Sequence, residues 1–556
     1  MAVNTGLLLL TSPTHLLSKK VPAILNFISQ KITKVLYVHL HPDLERCLSS
    51  EHETQQDSCI PPSYSILHFA TNFYVESAKI RGFPDTRILL RNLGGRVSCS
   101  DIPLLHSIQN VYTDSTLPPA DISTYLKNWM LYPSDTAMHR LPDDILQSLK
   151  AKASSRFSET EPSNKMCKQE EEFKTYSHVV LGGTFDRLHV GHKVLLTESA
   201  MRANHKVTVG VTDGAMNHKK ILHELIQPCQ TRIDDVYNFL WEVKPWIAHK
   251  DIIVPIVDPF GPSIVEVDMG CIVVSQETKK GGAAVNKRRV EKGLSVLDVH
   301  EIDIVADINH EEQEEDKVSS SSQRMRLLGT LLKQPIANSN MLTSPYIIGL
   351  TGGIASGKSS VCQRLEKLGA AVIDCDKLGH QAYQPDAAAF QKVVDEFGKD
   401  IVGDDGQINR KALGAKVFAD KSRLTVLNKI VWPEIARMAQ DLISSYAKEG
   451  KDVCILDAAV LLDANWDEFT HEVWSCIIPK EEALKRIIDR DGLSEERARQ
   501  RIESQMSNQE RVARSHVVMC TLWEPEYTQK QVEKAWKALQ ERKNLHSSGE
   551  LPASQL

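Results

Sequence analysis

The chain has 556 residues, long enough for two to four domains, each with its own core. Hydrophobic residues at 42% and charged residues at 25% are ordinary for a globular protein, and a net charge of −6 excludes a chain-wide basic field for nucleic acid. The 11 cysteines form no CxxC pairs, which argues against a disulfide framework or a zinc cluster and for reduced thiols in a cytosolic or matrix compartment. No apolar run reaches the roughly 18 residues needed to cross a bilayer.

In chain order, the first 42 residues hold no acidic side chain but carry Lys19, Lys20, Lys31 and Lys34. That composition has the flavour of a mitochondrial presequence. The same segment lacks Arg, and "GLLLLTSP" reads equally well as a buried strand and turn. Further strands are predicted at 35–40 and 86–93. His39 and His41, two apart, would share one side of the first of these, a pairing more often structural than metal-binding. Residues 1–150 are therefore an α/β region of unclear role. Residues 151–174, polar and without apolar periodicity, read as a linker.

Residues 175–308 alternate strand and helix. Strands are predicted at 178–185, 206–211, 251–257, 271–275 and 296–305, with helices at 191–204 and 229–243. Strands apolar on both faces with helices between them imply a doubly wound parallel sheet. A second break, 309–345, is first acidic, then serine-rich, and reads as a connector with one docking helix. Residues 346–556 are again α/β, with strands predicted at 346–351, 370–374, 452–458 and 471–479 and an Arg-rich helical stretch at 485–515. The predicted fold is two doubly wound parallel-sheet domains after an N-terminal α/β region.

Two motifs carry chemistry. In "LGGTFDRLHVGHKVLL", Gly182 and Gly183 end a strand and let main-chain amides approach a ligand. Thr184 can donate a hydroxyl. His189 and His192 flank Gly191 at a helix N-terminus, where free amides and the helix dipole favour an anion. This stretch resembles the nucleotidylyltransferase superfamily. The later "VVSQETKKGGAAVNKRR" is similar to that superfamily's second motif in the eukaryotic and archaeal form of phosphopantetheine adenylyltransferase. The resemblance implies a Rossmann-like fold and an ATP site of Gly182, Gly183, Thr184, Phe185, His189, His192, Ser275, Thr278 and Arg289. Asn286 belongs to the same motif, and Arg288 and Arg289 stand as alternatives for the ATP contact. The implied reaction is attack of 4′-phosphopantetheine on the α-phosphate of ATP. His189 and His192 would stabilise the transition state, and Thr184 with Lys219 or Lys220 would hold the acceptor phosphate. Arg232 is a weaker candidate for that role.

The second motif, "GLTGGIASGKSS", matches Gly-xxxx-Gly-Lys-Ser between a strand and a helix. Gly352, Gly353, Ile354, Ala355, Ser356, Gly357, Lys358 and Ser359 would wrap phosphates, with Ser359 on Mg²⁺. Asp374 and Asp376 follow the next strand on one side of the chain. One can take a proton from a substrate hydroxyl while the other orients substrate. With "VIDCD", "LDAAVLL", "RDGLSEERARQRIESQM" and "SHVV", the whole of residues 346–556 resembles dephospho-CoA kinase. The resemblance implies Asp376 as base, Asp374 beside the dephospho-CoA, and Lys358 on phosphate. It also implies Arg490 with Arg497 and Arg501 as a lid over ATP, and Asp457 with Ser359 for Mg²⁺. "AAVLL" departs from the family, which has Pro before the paired leucines.

The pair of blocks is similar to the bifunctional coenzyme A synthase family of animals, whose two reactions are consecutive. The alternatives weighed are a fused nicotinamide-mononucleotide adenylyltransferase and ribosylnicotinamide kinase, and a nucleotide-binding signalling scaffold. The resemblance implies ATP, 4′-phosphopantetheine and dephospho-CoA as small-molecule partners, Mg²⁺ as cofactor, and no nucleic acid. A monomer is the expected state, in the cytoplasm, the mitochondrion (matrix or membrane-associated), or both. The N-terminal region is left open to contact with a membrane surface or a signalling protein.

Overall fold

The computed structural model describes residues 2–42, 44, 60–93, 104–128, 136–150, 172–336, 344–418 and 421–548. They form two compact units, residues 1–323 and 324–556. The linker expected at 151–174 lies almost wholly outside the described residues.

Unit one contains two five-stranded parallel sheets. The first is built from β1 (Val3–Leu10), β2 (Ile32–Leu40), β3 (Asp85–Leu89), β4 (Asn110–Thr113) and β5 (Ala137–Arg140), in the order β3-β2-β1-β4-β5. The segment "GLLLL" is its central strand. Leu7 to Leu10 are fully buried, each worth about 1.5–3 kcal/mol against exposure. β1 pairs with both β2 and β4, and its aliphatic side chains meet cover on both faces, Leu8 and Leu10 in one apolar cluster and Leu7 and Leu9 in another. The helix Val21–Ser29 follows, with Pro22 in its first turn, where no amide hydrogen bond is lost. His39 and His41 are fully buried, and Nε2 of His39 lies 2.7 Å from the Tyr125 hydroxyl. Burial, with His41 and Arg91 adding, pushes the His39 imidazole down to about 3, as suits a core histidine.

The second sheet comprises β6 (Tyr176–Gly183), β7 (Ala203–Thr212), β8 (Ile253–Ile256), β9 (Cys271–Ser275) and β10 (Asp298–Ile302), in the order β10-β9-β6-β7-β8. The predicted first strand stops two residues early, because Phe185 adopts a left-handed conformation, φ 52°, and turns the chain out of the sheet. The second break does not begin at 309. Asp307 donates its amide to the Asp316 carbonyl and Val318 to that of Val305, folding residues 307–318 back on the domain of the second sheet.

Unit two holds β11 (Tyr346–Gly352), β12 (Ala371–Asp374), β13 (Val453–Asp457), β14 (Glu472–Ile477) and β15 (Val517–Cys520), all parallel, ordered β12-β13-β11-β14-β15. Every residue of β13 and β14 is buried. The Arg-rich stretch is three helices, Lys480–Asp491, Glu495–Glu503 and Asn508–Arg514. Gly492 breaks the first from the second at φ 63°, a conformation costly for other residues. Cys229, Cys271, Cys362, Cys375, Cys454, Cys476 and Cys520 are free thiols. Among the described residues, no helix is long and apolar enough to cross a membrane.

Candidate active sites

In parallel α/β sheets, ligands bind beyond the carboxyl ends of the strands. Both motifs lie there. At the end of β6 the helix Val190–Arg202 begins with His189 as its N-cap. The His189 and His192 rings stack at 3.8 Å between centroids, 22° apart. Gly191 permits this, since a Cβ there would come within 3.3 Å of the His189 ring. Burial, then His189 and Lys220, hold the His192 imidazole well below its ordinary range. It is therefore neutral at neutral pH and can donate one N–H. Phe185 is fully buried, with its ring 5.2 Å from that of His192, so it supports the histidines from below.

Lys220 reaches this end of the sheet, where its ammonium meets the Thr184 hydroxyl and lies 3.2 Å from that of Thr212. Lys219 is exposed. Arg232 is 1% exposed and donates to the carbonyls of Thr184 at 2.7 Å, Thr212 at 2.8 Å and Gln227 at 2.9 Å. It clamps two strand ends together and has little left to offer an acceptor phosphate. Asp186, fully buried, accepts from the Gln227 amide at 3.0 Å and from Arg187 at 2.9 Å, fixing the loop between strand and helix.

Ser275 and Thr278 form a reciprocal cap at the end of β9, with the Ser275 amide donating to the Thr278 hydroxyl at 3.0 Å. The assignment of Arg289 to ATP is corrected. Its side chain is fully buried and donates to the carbonyls of Ser263 at 2.6 Å, Ser295 at 2.7 Å and Glu266 at 2.9 Å. Helical phase turns it into the domain, where it ties loops together. Arg288, the alternative, pairs with Glu291 at 2.8 Å on the surface. Asn286 exchanges two hydrogen bonds with the Leu297 backbone and is likewise a strut. Sequence reasoning missed Ser320. Its hydroxyl donates to the Asp186 carbonyl at 3.2 Å and sits 3.4 Å from His189 Nε2. It comes from the segment taken as linker, and only the fold brings it there.

In unit two, residues 352–359 line a cavity of about 730 Å³, together with Asp376, Ala459, Arg486, Asp489, Arg490 and Gln505. The loop is shaped by positive φ at Ala355 (61°) and Gly357 (77°), and a Cβ on Gly357 would lie 2.7 Å from the Thr521 hydroxyl. Such a loop aims successive amides at one point, a cradle for phosphate. Lys358 is paired with Asp457, and its ammonium is 4.0 Å from Asp376 Oδ2. Burial alone would lower the lysine, but these two carboxylates outweigh it and hold it above its ordinary value. Burial raises Asp376, with Lys358 opposing. Register puts Asp374 opposite Asp457 on adjacent strands. Asp374 caps the next helix, accepting from the Lys377 amide at 2.9 Å, so its carboxylate is partly committed.

Arg490 lines the cavity and pairs with Asp491 at 2.7 Å. Arg501 also contacts Asp491, at 3.3 Å, and Arg497 is exposed; neither lines the cavity. Arg486 was missed. It donates to the Thr521 carbonyl at 2.6 Å and the Ala355 carbonyl at 3.3 Å, bracing the loop. Gln505 was missed too, and accepts from the Ile354 amide at 2.8 Å. Both lie in an Arg-rich stretch whose helical break was not foreseen.

Three family models match the chain: COASY N-terminal domain over 4–126, Cytidylyltransferase-like over 180–326, and Dephospho-CoA kinase over 346–521. A dephospho-CoA kinase of Carboxydothermus hydrogenoformans is 42% identical over 192 residues, covering 34% of this chain and 93% of that protein. One from Geobacter sulfurreducens is 41% identical over 190 residues, covering 34% and 96%. Among solved structures, TT1252 from Thermus thermophilus aligns at 30% identity over 36% of this chain and 97% of its own, with a TM-score of 0.31. The chain belongs to the dephospho-CoA kinase family through its last block, and the order of its three domains is that of a bifunctional coenzyme A synthase.

Proposed function

We propose that the chain catalyses two consecutive ATP-dependent steps. Residues 175–308 transfer the adenylyl group of ATP to 4′-phosphopantetheine, releasing pyrophosphate and giving dephospho-CoA. Residues 346–556 then phosphorylate the ribose 3′-hydroxyl of dephospho-CoA, giving CoA. The observation that carries the first step is the stacked His189–His192 pair at a helix start, beside Lys220 and Thr184.

No protein nucleophile is required in the first step, because the acceptor phosphate already carries about −1.5 to −2 charges at neutral pH. His189 and His192 donate to oxygens of the reacting α-phosphate. Lys220 and Thr184 hold the acceptor, bringing it in line. In the second step Asp376 takes the hydroxyl proton, and Lys358 moves from Asp457 to the β- and γ-phosphates. Arg490 neutralises the phosphoryl group in flight. The Ser359 hydroxyl lines the cavity, and the Asp457 carboxylate pairs with Lys358, which lines it too; both are hard oxygen donors that fit Mg²⁺. When bound, the ion offsets charge on the phosphates.

Incubating the chain with 4′-phosphopantetheine, ATP and Mg²⁺ and following products by mass tests the reading. Dephospho-CoA with pyrophosphate should appear first, then CoA. A chain that makes CoA only from supplied dephospho-CoA would rule out the first half. Supplying nicotinamide mononucleotide in a parallel sample checks the acceptor.

A further inference from the structure

Among the described residues, the first 150 hold no catalytic constellation, yet their sheet follows the plan of the second. Numbered within each domain, both sheets run 3-2-1-4-5, all parallel. β1 thus corresponds to β6, and the turn after β1 to the glycine–histidine loop after β6. That turn reads Thr11-Ser12-Pro13 and has no histidine pair. Asp114, 5% exposed at the end of β4, accepts from the Thr11 amide at 2.7 Å, the Thr11 hydroxyl at 3.1 Å and the Ser12 amide at 2.9 Å. The amides that a working copy would offer to phosphate are held by a carboxylate, whose charge repels triphosphate.

The first domain meets the second along the helix capped by His189. Its residues 193–202 are all buried, including Lys193, Thr197, Glu198 and Arg202. In a lone α/β domain those polar side chains would face water. Here the helix Tyr64–Ala78 of the first domain packs on this helix, and one apolar cluster runs from Leu8, Phe69 and Phe73 to Leu196, Ala200 and Phe239. The Arg202 guanidinium lies 4.8 Å from the Phe173 ring and 5.9 Å from that of Tyr64. Lys193, the residue after His192, pairs with Asp85 of β3. Asp85 also binds Arg87 at 2.9 Å, and Arg87 binds the fully buried Glu242 at 2.6 Å. Glu242 ends the helix Cys229–Val243 and accepts from the Tyr37 hydroxyl and, at 2.9 Å, from the Leu105 amide. Charges of alternating sign thus tie β3 to two helices of the transferase-like domain. Buried ion pairs give little net stability but define geometry strongly.

We infer that residues 3–140 are a second copy of the transferase fold, closed to nucleotide, that positions the helix bearing His192, with Asp85 as the positioning residue acting through Lys193. This rests on the adenylyltransferase reading of residues 175–308. The test measures both half-reactions on the full-length chain, the kinase half serving as internal control. Asp85→Asn should lower kcat for dephospho-CoA formation about ten- to hundredfold, the scale of a small misplacement, with KM for ATP within about threefold and kinase activity unchanged. Asp85→Glu should restore most of the loss. Asp85→Asn/Lys193→Met removes both charges of the pair, the lysine buried and the aspartate part-exposed, and should fold, with a kcat no lower than either single change gives. An Asp85→Asn or double variant with wild-type kcat overturns the inference, as does a loss confined to KM. Saturation with a non-hydrolysable ATP analogue should stop at two nucleotides per chain, and a third overturns the closed copy. A wild-type chain that makes no dephospho-CoA refutes the function reading instead.

Discussion

Replacing Lys358 by Met separates what its ammonium does for the fold from what it does for phosphate. The side chains of Lys358 and Asp457 are 12% and 11% exposed and in contact, with Asp376 at 4.0 Å. Breaking a fully buried pair by removing one partner costs about 3–5 kcal/mol. The residual exposure lets water reach Asp457, which brings the expected loss to about 2 kcal/mol. For a unit of this size that lowers Tm by roughly 4–8 °C. Lys358→Met/Asp457→Asn removes the stranded charge and should recover most of that Tm. Kinase turnover should fall about 10²–10³-fold in the single variant, the scale of losing one preorganised donor to a transferring group, and should not return in the double. Differential scanning calorimetry and the two separate half-reactions measure this. The reasoning fails if the double variant phosphorylates dephospho-CoA at more than a tenth of the wild-type rate. It fails equally if Lys358→Met abolishes adenylyl transfer in folded protein, since each site is built from its own strand ends.

His192→Ala should lower dephospho-CoA formation about 10²–10³-fold and leave phosphorylation of supplied dephospho-CoA unchanged, as read by product mass. Asp376→Asn should slow phosphorylation while ATP affinity, measured by equilibrium binding, is retained. Because burial raises the Asp376 carboxyl and a base must be ionised, kinase activity should fall as pH drops through a value above the ordinary aspartate range. A pH profile of kcat/KM locates that limb, and its disappearance in Asp376→Asn is the expected control. Arg289→Met should strand three buried carbonyls, at about 1 kcal/mol or more each, and lower Tm with KM for ATP unchanged.

What could be read from sequence was what is written locally. A strand ending in glycines before a helix is a phosphate site because consecutive residues supply both turn and amides, so Gly352 to Ser359 and His189–His192 were legible without a fold. Lys220 could not be told from Lys219, because the choice depends on which of two neighbours turns back towards Thr184. Arg289 was misread because a helix residue's direction is set by what its domain packs beneath it. Ser320 and Gln505 reach their sites from segments distant in sequence, and nothing in their own surroundings announces it. The first domain was opaque for a related reason. Its meaning lies in strand order and in the cover it gives to a polar helix face, and neither leaves a motif. "GLLLL" near the N-terminus suited a strand or a presequence, and its central place in a sheet accounts for it as a strand.

The proposed reactions explain why the two sites carry different side chains at equivalent ends of similar sheets. An acceptor that is already a phosphate brings its own negative charge, so the site after β6 needs donors and positioning but no base. The carboxylate in the loop that leads to its histidines, Asp186, is buried and accepts from the Gln227 amide and Arg187. A ribose hydroxyl must lose a proton as it attacks, so the site after β11 needs a carboxylate open to its cavity, and Asp376 is there. A base in one site and none in the other therefore follows from the charge on the acceptor. Joining the sites in one chain keeps the product of the first near the second at an effective concentration set by the connecting residues. A transferase domain that also needed a general base would break this correspondence: Asp186→Asn, whose amide oxygen can still accept from the Gln227 amide and Arg187, should keep dephospho-CoA formation within about tenfold of wild type.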